Sequence, residues 1–306
     1  MTIPTDAQAQ RLAHELQQHP DYRILRRLPE PSDFGGEASP NAWRVVVLDT
    51  ETTGLDPNHA EVIELALARI TVNPDTGLPV GPVASYNGLQ QPRGPIPPEV
   101  TALTGITDAM VQGKTLDHAR VAALVDQADW VVAHNAGFDR PFAEACCPAL
   151  AQHAWVCSWQ DMDWGALGRS AKLEALAAAT GVFYDAHRAL TDVHALMHVL
   201  SQPGAHGRTG WQQLAVAARA PSLKLYATGS PFESKDLLKA RGYRWDAERR
   251  AWWCRLHREA ELPDELAWLR QQVYGTRRAQ LQFERMDAHQ RYSARAGEPG
   301  TVALPG

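Results

Sequence analysis

The stretch VVVLDTETTGL, residues 45–55, constrains this chain more than any other. Val45 to Leu48 read as a strand buried on both faces, and they run straight into Asp49 and Glu51. Side chains alternate along a strand, so these two acids project to the same side. Carboxylates that close repel each other and stay ionised together only where a cation offsets them. The fold must therefore bring positive charge to the end of its most apolar strand.

With 306 residues the chain has material for one large domain with appendages or for two modest ones. The cysteines, Cys146, Cys147, Cys157 and Cys254, show no C-x-x-C spacing, which disfavours a zinc knuckle or a disulfide scaffold and suggests reduced thiols. No apolar run is long enough to cross a bilayer and the N-terminus lacks a secretory profile, so a soluble, cytoplasmic protein with no membrane partner is expected. The net charge of -5 conceals an asymmetry. Between Leu223 and Arg258 nine lysines and arginines face four acids, a local +5, which suggests two units with different tasks.

Helical spacing over residues 6–18 and the turn-rich PEPSDFGGEASPN (29–41) mark residues 1–42 as a helical appendage and linker. From Trp43 the pattern turns to strand. EVIELALARITV (61–72) and VASYNGL (83–89) follow, joined by hairpin chemistry at Pro74, Asp75 and Gly77, so three strands form an antiparallel meander. Beyond the proline-rich QPRGPIPPEV the chain alternates: a helix near 117–127, the strand in DWVVAHN, a helix from Asp139, a short strand in AWVCSW, and helices over 171–180 and 189–200. A meander followed by β/α alternation makes an α/β fold, a mixed sheet with flanking helices, over residues 43–203.

Two further acids fall at boundaries of this pattern. Asp139 lies in the first turn of the helix after DWVVAHN, and HRALTDVHAL places His187 five positions ahead of Asp192. In an open α/β sheet the carboxyl ends of strands and the starts of the following helices share one rim, where four acids can meet. Taken singly, each has an ordinary explanation as a cap, a turn to solvent or a packed histidine. Their joint appearance, in order and each at a boundary, carries the argument. His194 and His198, at i and i+4 on the last helix, lack a third ligand and read as surface or packing residues.

From Val45 to Leu200 the constellation resembles the DEDDh branch of the 3'-to-5' exonucleases, whose members include the proofreading epsilon subunits of bacterial DNA polymerase III. LDTETTGL, VVAHNAGFDRPF and HRALTDVHAL match the three family motifs, and IPPEVTALTGIT (96–107) is similar to the family's linker. The resemblance implies a ribonuclease H-like fold and two divalent cations, Mg²⁺ or Mn²⁺, which suit hard carboxylate ligands. It further implies that Asp49 bridges both ions, that Glu51 and Asp192 complete the nucleophile-side site, and that Asp139 serves the other. His187 is the implied general base, since imidazole titrates near neutral pH. Thr50 and Thr52, with Leu55 and Phe138, are implied to hold the terminal nucleotide, and Asn135 to shape the same pocket; core packing is the competing role for Leu55 and Phe138.

Residues 221–275 form a second unit, a small basic and aromatic α+β module. A short strand leads to the helix ESKDLLKARG, closed by Gly242, and YRWDAERRAWWCRL reads as a hairpin with Tyr243, Trp245, Trp252 and Cys254 on one face. Arg244, Arg249, Arg250, Trp253 and Arg255 are candidate nucleic-acid contacts, against the alternative that the aromatics serve only a core. Residues 276–306 read as a helical extension with a loose tail from Gly297, and QLQF (280–283) as helix surface rather than a clamp-binding peptide. The expected activity is metal-dependent removal of nucleoside 5'-monophosphates from single-stranded 3' ends, DNA in preference to RNA, alongside a replication or repair protein. The alternatives are a nucleic-acid-binding accessory that retains the fold and an RNA-preferring exonuclease.

Overall fold

The computed structural model describes residues 5–165, 168, 170–204 and 207–305; the outermost residues of the expected appendage and tail, 1–4 and 306, lie outside these. In chain order the first domain contains α1 (Asp6–Gln17), β1 (Arg26–Arg27), β2 (Trp43–Thr52), β3 (Val62–Asn73), β4 (Leu78–Leu89), α2 (Pro98–Thr104), α3 (Asp108–Val111), α4 (His118–Val125), β5 (Trp130–Ala133), α5 (Ala136–Cys146), β6 (Trp155–Cys157), α6 (Leu173–Ala179), β7 (Val182–Phe183), α7 (Ala189–Leu200) and α8 (Gly210–Arg219).

The alternation in β2 sets the layering. Val45 and Val47 face one core with Ala66, Ala68, Val132 and Val156, roofed by Leu196, Leu200, Trp211 and Leu214 of α7 and α8. Val46 and Leu48 face the opposite core with Leu65, Leu67 and Val131, closed by Val121 and Leu124 of α4 and Phe142 and Ala143 of α5. Every residue from Val45 to Leu48 is fully buried, because helices cover both faces of the strand. The sheet order is β4-β3-β2-β5-β6. β3 runs antiparallel to β2 and β4, and β5 lies parallel to β2 and β6. This is the mixed α/β sheet that the meander and the alternation require.

The appendage is partly docked. α1 buries no residue, but β1 pairs in parallel with β7, and Leu28 enters the main core.

A second antiparallel sheet, β12-β11-β8-β10-β9, comprises β8 (Ser222–Ala227), β9 (Arg244–Asp246), β10 (Ala251–Leu256), β11 (Gln280–Met286) and β12 (Glu298–Ala303). It packs Leu225, Cys254 and Leu281 against α9 (Lys235–Ala240) and α10 (Leu262–Leu269). Two expectations are corrected here. The helix ends before Gly275, and residues 280–286 form a strand rather than a helical extension, pairing antiparallel with β8. The residues after Gly297 are also not loose, because β12 pairs with β11 from Glu298 to Ala303. The cause is the two-residue period at Leu281 and Phe283, which presents one apolar face to the module's core.

Between β11 and β12 the chain returns to the first domain. Ala288 O accepts from Trp155 N at 2.8 Å. The buried Arg140 guanidinium donates to the carbonyls of Ala288, His289 and Arg291. Tyr292 OH donates to the buried Asp161 at 2.6 Å, and its ring joins the core beside Phe142 and Trp155. The module is thereby fastened beside the rim where the acids lie.

Candidate active site

Three elements deliver the acids. The end of β2 presents Asp49 and Glu51, and a register shift between Glu51 and Thr52 turns the strand away beyond them. After β5, Asn135 takes a left-handed conformation (φ 83°), which asparagine tolerates, and this starts α5 with Asp139 in its first turn. Ahead of α7, His187 is also left-handed (φ 65°), with Asp192 in the helix's first turn.

Asp49, Glu51 and Asp192 each offer an oxygen within 4.8 Å of the others. Asp139 stands outside that set, its Oδ1 accepting from Thr50 N at 3.1 Å and Thr50 Oγ1 at 2.9 Å. It lines the same cleft of about 930 Å³, together with Thr50, Thr52, Leu55, Asn135, Phe138 and His187. All ten residues named from the first domain's motifs thus border one cavity. Leu55 is 85% exposed and contributes nothing to the core. Phe138 does both, lining the cleft while its ring lies 5.0 Å from that of Phe142.

The electrostatics are those of a crowded acid cluster that Arg188 and His187 offset only in part. Burial, then the charges of Asp139, Asp192 and Glu51, push Asp49 well above the usual carboxylate range. Burial and the charge of Asp192 push Glu51 up to about 8. Burial raises Asp139 to about 7 against the opposing Thr50 bonds, and Asp192 to about 6 against the bond from Tyr184. These oxygens are hard donors whose like charges repel, a set that suits a divalent cation.

Motif spacing did not single out several residues that the structure brings in. Glu64 on β3 is fully buried, and its carboxylate accepts from Arg188 Nη2 (2.9 Å), Arg188 Nε (3.1 Å) and Ala189 N (3.0 Å). It therefore anchors the turn that carries His187. Its signal was a lone acid inside the apolar run VIELALARI. We expect Glu64→Ala to lower unfolding stability by about 2 to 3 kcal/mol in urea titrations and to reduce turnover, since a bidentate charged bond is lost and Arg188 is left without its carboxylate. Tyr184 OH donates to Asp192 Oδ1 at 3.1 Å. Trp159, 45% exposed, lines the cleft stacked 5.7 Å from the His134 ring. His134 is fixed between Ser158 and Ala171 O, and burial lowers it to about 4.

His194 is buried and His198 contacts Thr180 Oγ1, consistent with packing roles. In the module, Arg249 is paired with Glu284. Arg255 bonds Gln160 Oε1 at 3.3 Å and covers the Tyr292 ring. Arg250 sits exposed in the turn between β9 and β10. Trp253 lies under Lys224, 4.6 Å from its ring centroid, with Arg244 at 6.0 Å.

A mixed sheet that gathers carboxylates at one rim is the arrangement of a phosphodiester-cleaving nuclease. The RNase_T exonuclease family profile matches residues 46–200, and the chain belongs to that family, with its ribonuclease H-like fold. The chain is 30% identical over 198 residues to exodeoxyribonuclease 10 of Escherichia coli K12, spanning 62% of this chain and 81% of that protein. It is likewise 30% identical over 143 residues to the PolC-type DNA polymerase III of Thermotoga maritima, covering 46% of this chain but 9% of the polymerase. A solved exonuclease X in complex with 5' overhanging duplex DNA superposes with a TM-score of 0.37 at 25% identity, covering 55% of this chain and 99% of that one. Among the described residues no helix is long and apolar enough to cross a membrane.

Proposed function

We propose that this exonuclease works in the 3'-to-5' direction on single-stranded ends of DNA and releases nucleoside 5'-monophosphates. The observation that carries the reading is the convergence of Asp49, Glu51 and Asp192 within 4.8 Å of one another, in a cleft that also holds Asp139 and His187. Two divalent cations, Mg²⁺ or Mn²⁺, held by the four acids would neutralise the scissile phosphate and make the attacking water more acidic. Without such charge the acid cluster repels a phosphodiester.

The remaining work falls to the chain itself. The backbone at Thr50 and Thr52 holds the terminal nucleotide, and Leu55 and Phe138 offer apolar faces to its base. Trp159, which also lines the cleft, adds a second stacking surface. His187 accepts the proton that the attacking water gives up. Glu64, Arg188 and Tyr184 hold the turn and the Asp192 carboxylate in place. The DNA preference is supported by the name of the E. coli relative. The PolC-type relative suggests a partner in replication or repair.

The test is digestion of matched single-stranded DNA, duplex DNA and RNA, each labelled at its 5' end, with Mg²⁺ or Mn²⁺. We expect a ladder shortening from the 3' end, fastest on single-stranded DNA, mononucleotides as the product, and arrest by a chelator. Early release of the labelled 5' nucleotide, or digestion indifferent to the chelator, contradicts the reading.

A further inference from the structure

Beside the catalytic cleft lies a second cavity of about 320 Å³, which shares Leu55, Asn135 and Phe138 with it as a common wall. The two differ in charge. The cleft is lined by Asp49, Glu51, Asp139 and Asp192, whereas among the described residues the second cavity has no acid and one formal charge, Arg244 from strand β9 of the C-terminal module. We propose that this cavity is an upstream subsite in which Arg244 binds the sugar-phosphate backbone of a single strand whose 3' end occupies the cleft. The inference rests on the exonuclease reading above and extends it to a site built by both domains.

Three observations support this occupant. Arg241, Arg249, Arg258 and Arg285 of the same module are each paired with a glutamate. Arg244 is exposed, and among the described residues no carboxylate lies within ion-pairing distance of it. Its guanidinium carbon lies 6.0 Å from the Trp253 ring centroid across the hairpin pair Trp253↔Arg244. The second observation is Gln160, which lines the same cavity. Arg255 donates to its Oε1, which orients the amide and leaves its N–H groups available as donors. A guanidinium and an amide N–H are complementary to phosphate oxygens and to no cation.

The third observation is the shared wall. A strand with its terminal base against Leu55 and Phe138 must leave the cleft past one side of that wall, and on this side it moves from a field of acids to an arginine. The fastening of the module through Tyr292, Arg140 and Asp161 gives Arg244 a fixed position relative to the catalytic acids. The subsite therefore reads strand length: a substrate long enough to reach Arg244 gains a phosphate contact that a dinucleotide lacks.

The test compares wild type, Arg244→Glu and Arg244→Lys, with Arg278→Glu as a matched charge reversal at an exposed residue that lines neither cavity. One arm measures kcat/KM for a ten-nucleotide single strand and for a dinucleotide. Arg244→Glu should lower the ratio of the two about tenfold, the worth of one charged phosphate contact, with Arg244→Lys in between and Arg278→Glu near wild type. A second arm measures, by fluorescence anisotropy in Mg²⁺, binding of a labelled ten-nucleotide strand whose 3' linkages resist hydrolysis, where the log–log salt slope should fall by about 0.7 in Arg244→Glu. An unchanged ratio, a parallel loss on both lengths, or an equal effect from Arg278→Glu overturns the subsite. If wild type released no mononucleotide yet the binding arm behaved as expected, the exonuclease reading would fail and the strand-binding site would stand.

Discussion

His187→Ala is expected to lower kcat by about two to four orders of magnitude while leaving binding of a hydrolysis-resistant strand in Mg²⁺ within about twofold of wild type. The expectation follows from where the side chain is held. His187 borders the same cleft as the acids and sits at φ 65°, a conformation that costs a non-glycine residue on the order of 1 kcal/mol and persists only where its surroundings enforce it. Here Glu64 enforces it by binding Arg188 through two guanidinium nitrogens, Nε and Nη2, and capturing Ala189 N, while Asp192 takes Arg188 N. A histidine kept in a strained turn at the mouth of an acid cluster has a role that packing does not explain. Single-turnover release of the terminal nucleotide measures it. Turnover close to wild type would make His187 structural, and the water's proton would need another acceptor.

That site was legible because its chemistry is written at element boundaries. The apolar run Val45–Leu48 marks a strand whatever surrounds it, and Asp49 and Glu51 inherit one face from its geometry. The positions of Asp139 and Asp192, in the first turns of helices, follow from short-range pattern in the same way. What escaped depends on distant parts of the chain. Glu64 reads as a strand residue until Arg188, far along the sequence, arrives at its carboxylate. Arg249 reads as a free phosphate contact until β11 brings Glu284 to it. Residues 280–286 carry good helix formers, and only the partner strand β8 reveals that the two-residue period governs. Trp159 follows a strand too short to give a face, so its stacking on His134 was unreadable.

The second large effect is on stability in the absence of divalent ions. An unfolded glutamic acid gives up its proton near 4.5, whereas burial and the neighbouring Asp192 charge hold the folded Glu51 up to about 8. Between those values the folded chain binds more protons than the unfolded one, so stability falls as pH rises through this window. For Glu51 the loss is on the order of 4 kcal/mol, and Asp49, Asp139 and Asp192, all raised, act in the same direction. We therefore expect metal-free protein to melt about 5 °C or more lower at pH 8 than at pH 6, and saturating Mg²⁺ to recover the difference at pH 8, because a cation binds only the ionised, folded cluster. Glu51→Gln separates this from other titrations. The amide keeps the side chain's shape without its charge, so the variant should be more stable than wild type at pH 8 in chelator, gain less from Mg²⁺, and lose nuclease activity. Wild-type melting that ignores Mg²⁺ at pH 8, or a Glu51→Gln variant less stable than wild type there, would show that the acids are balanced within the protein itself, and the reason for placing cations among them would be gone.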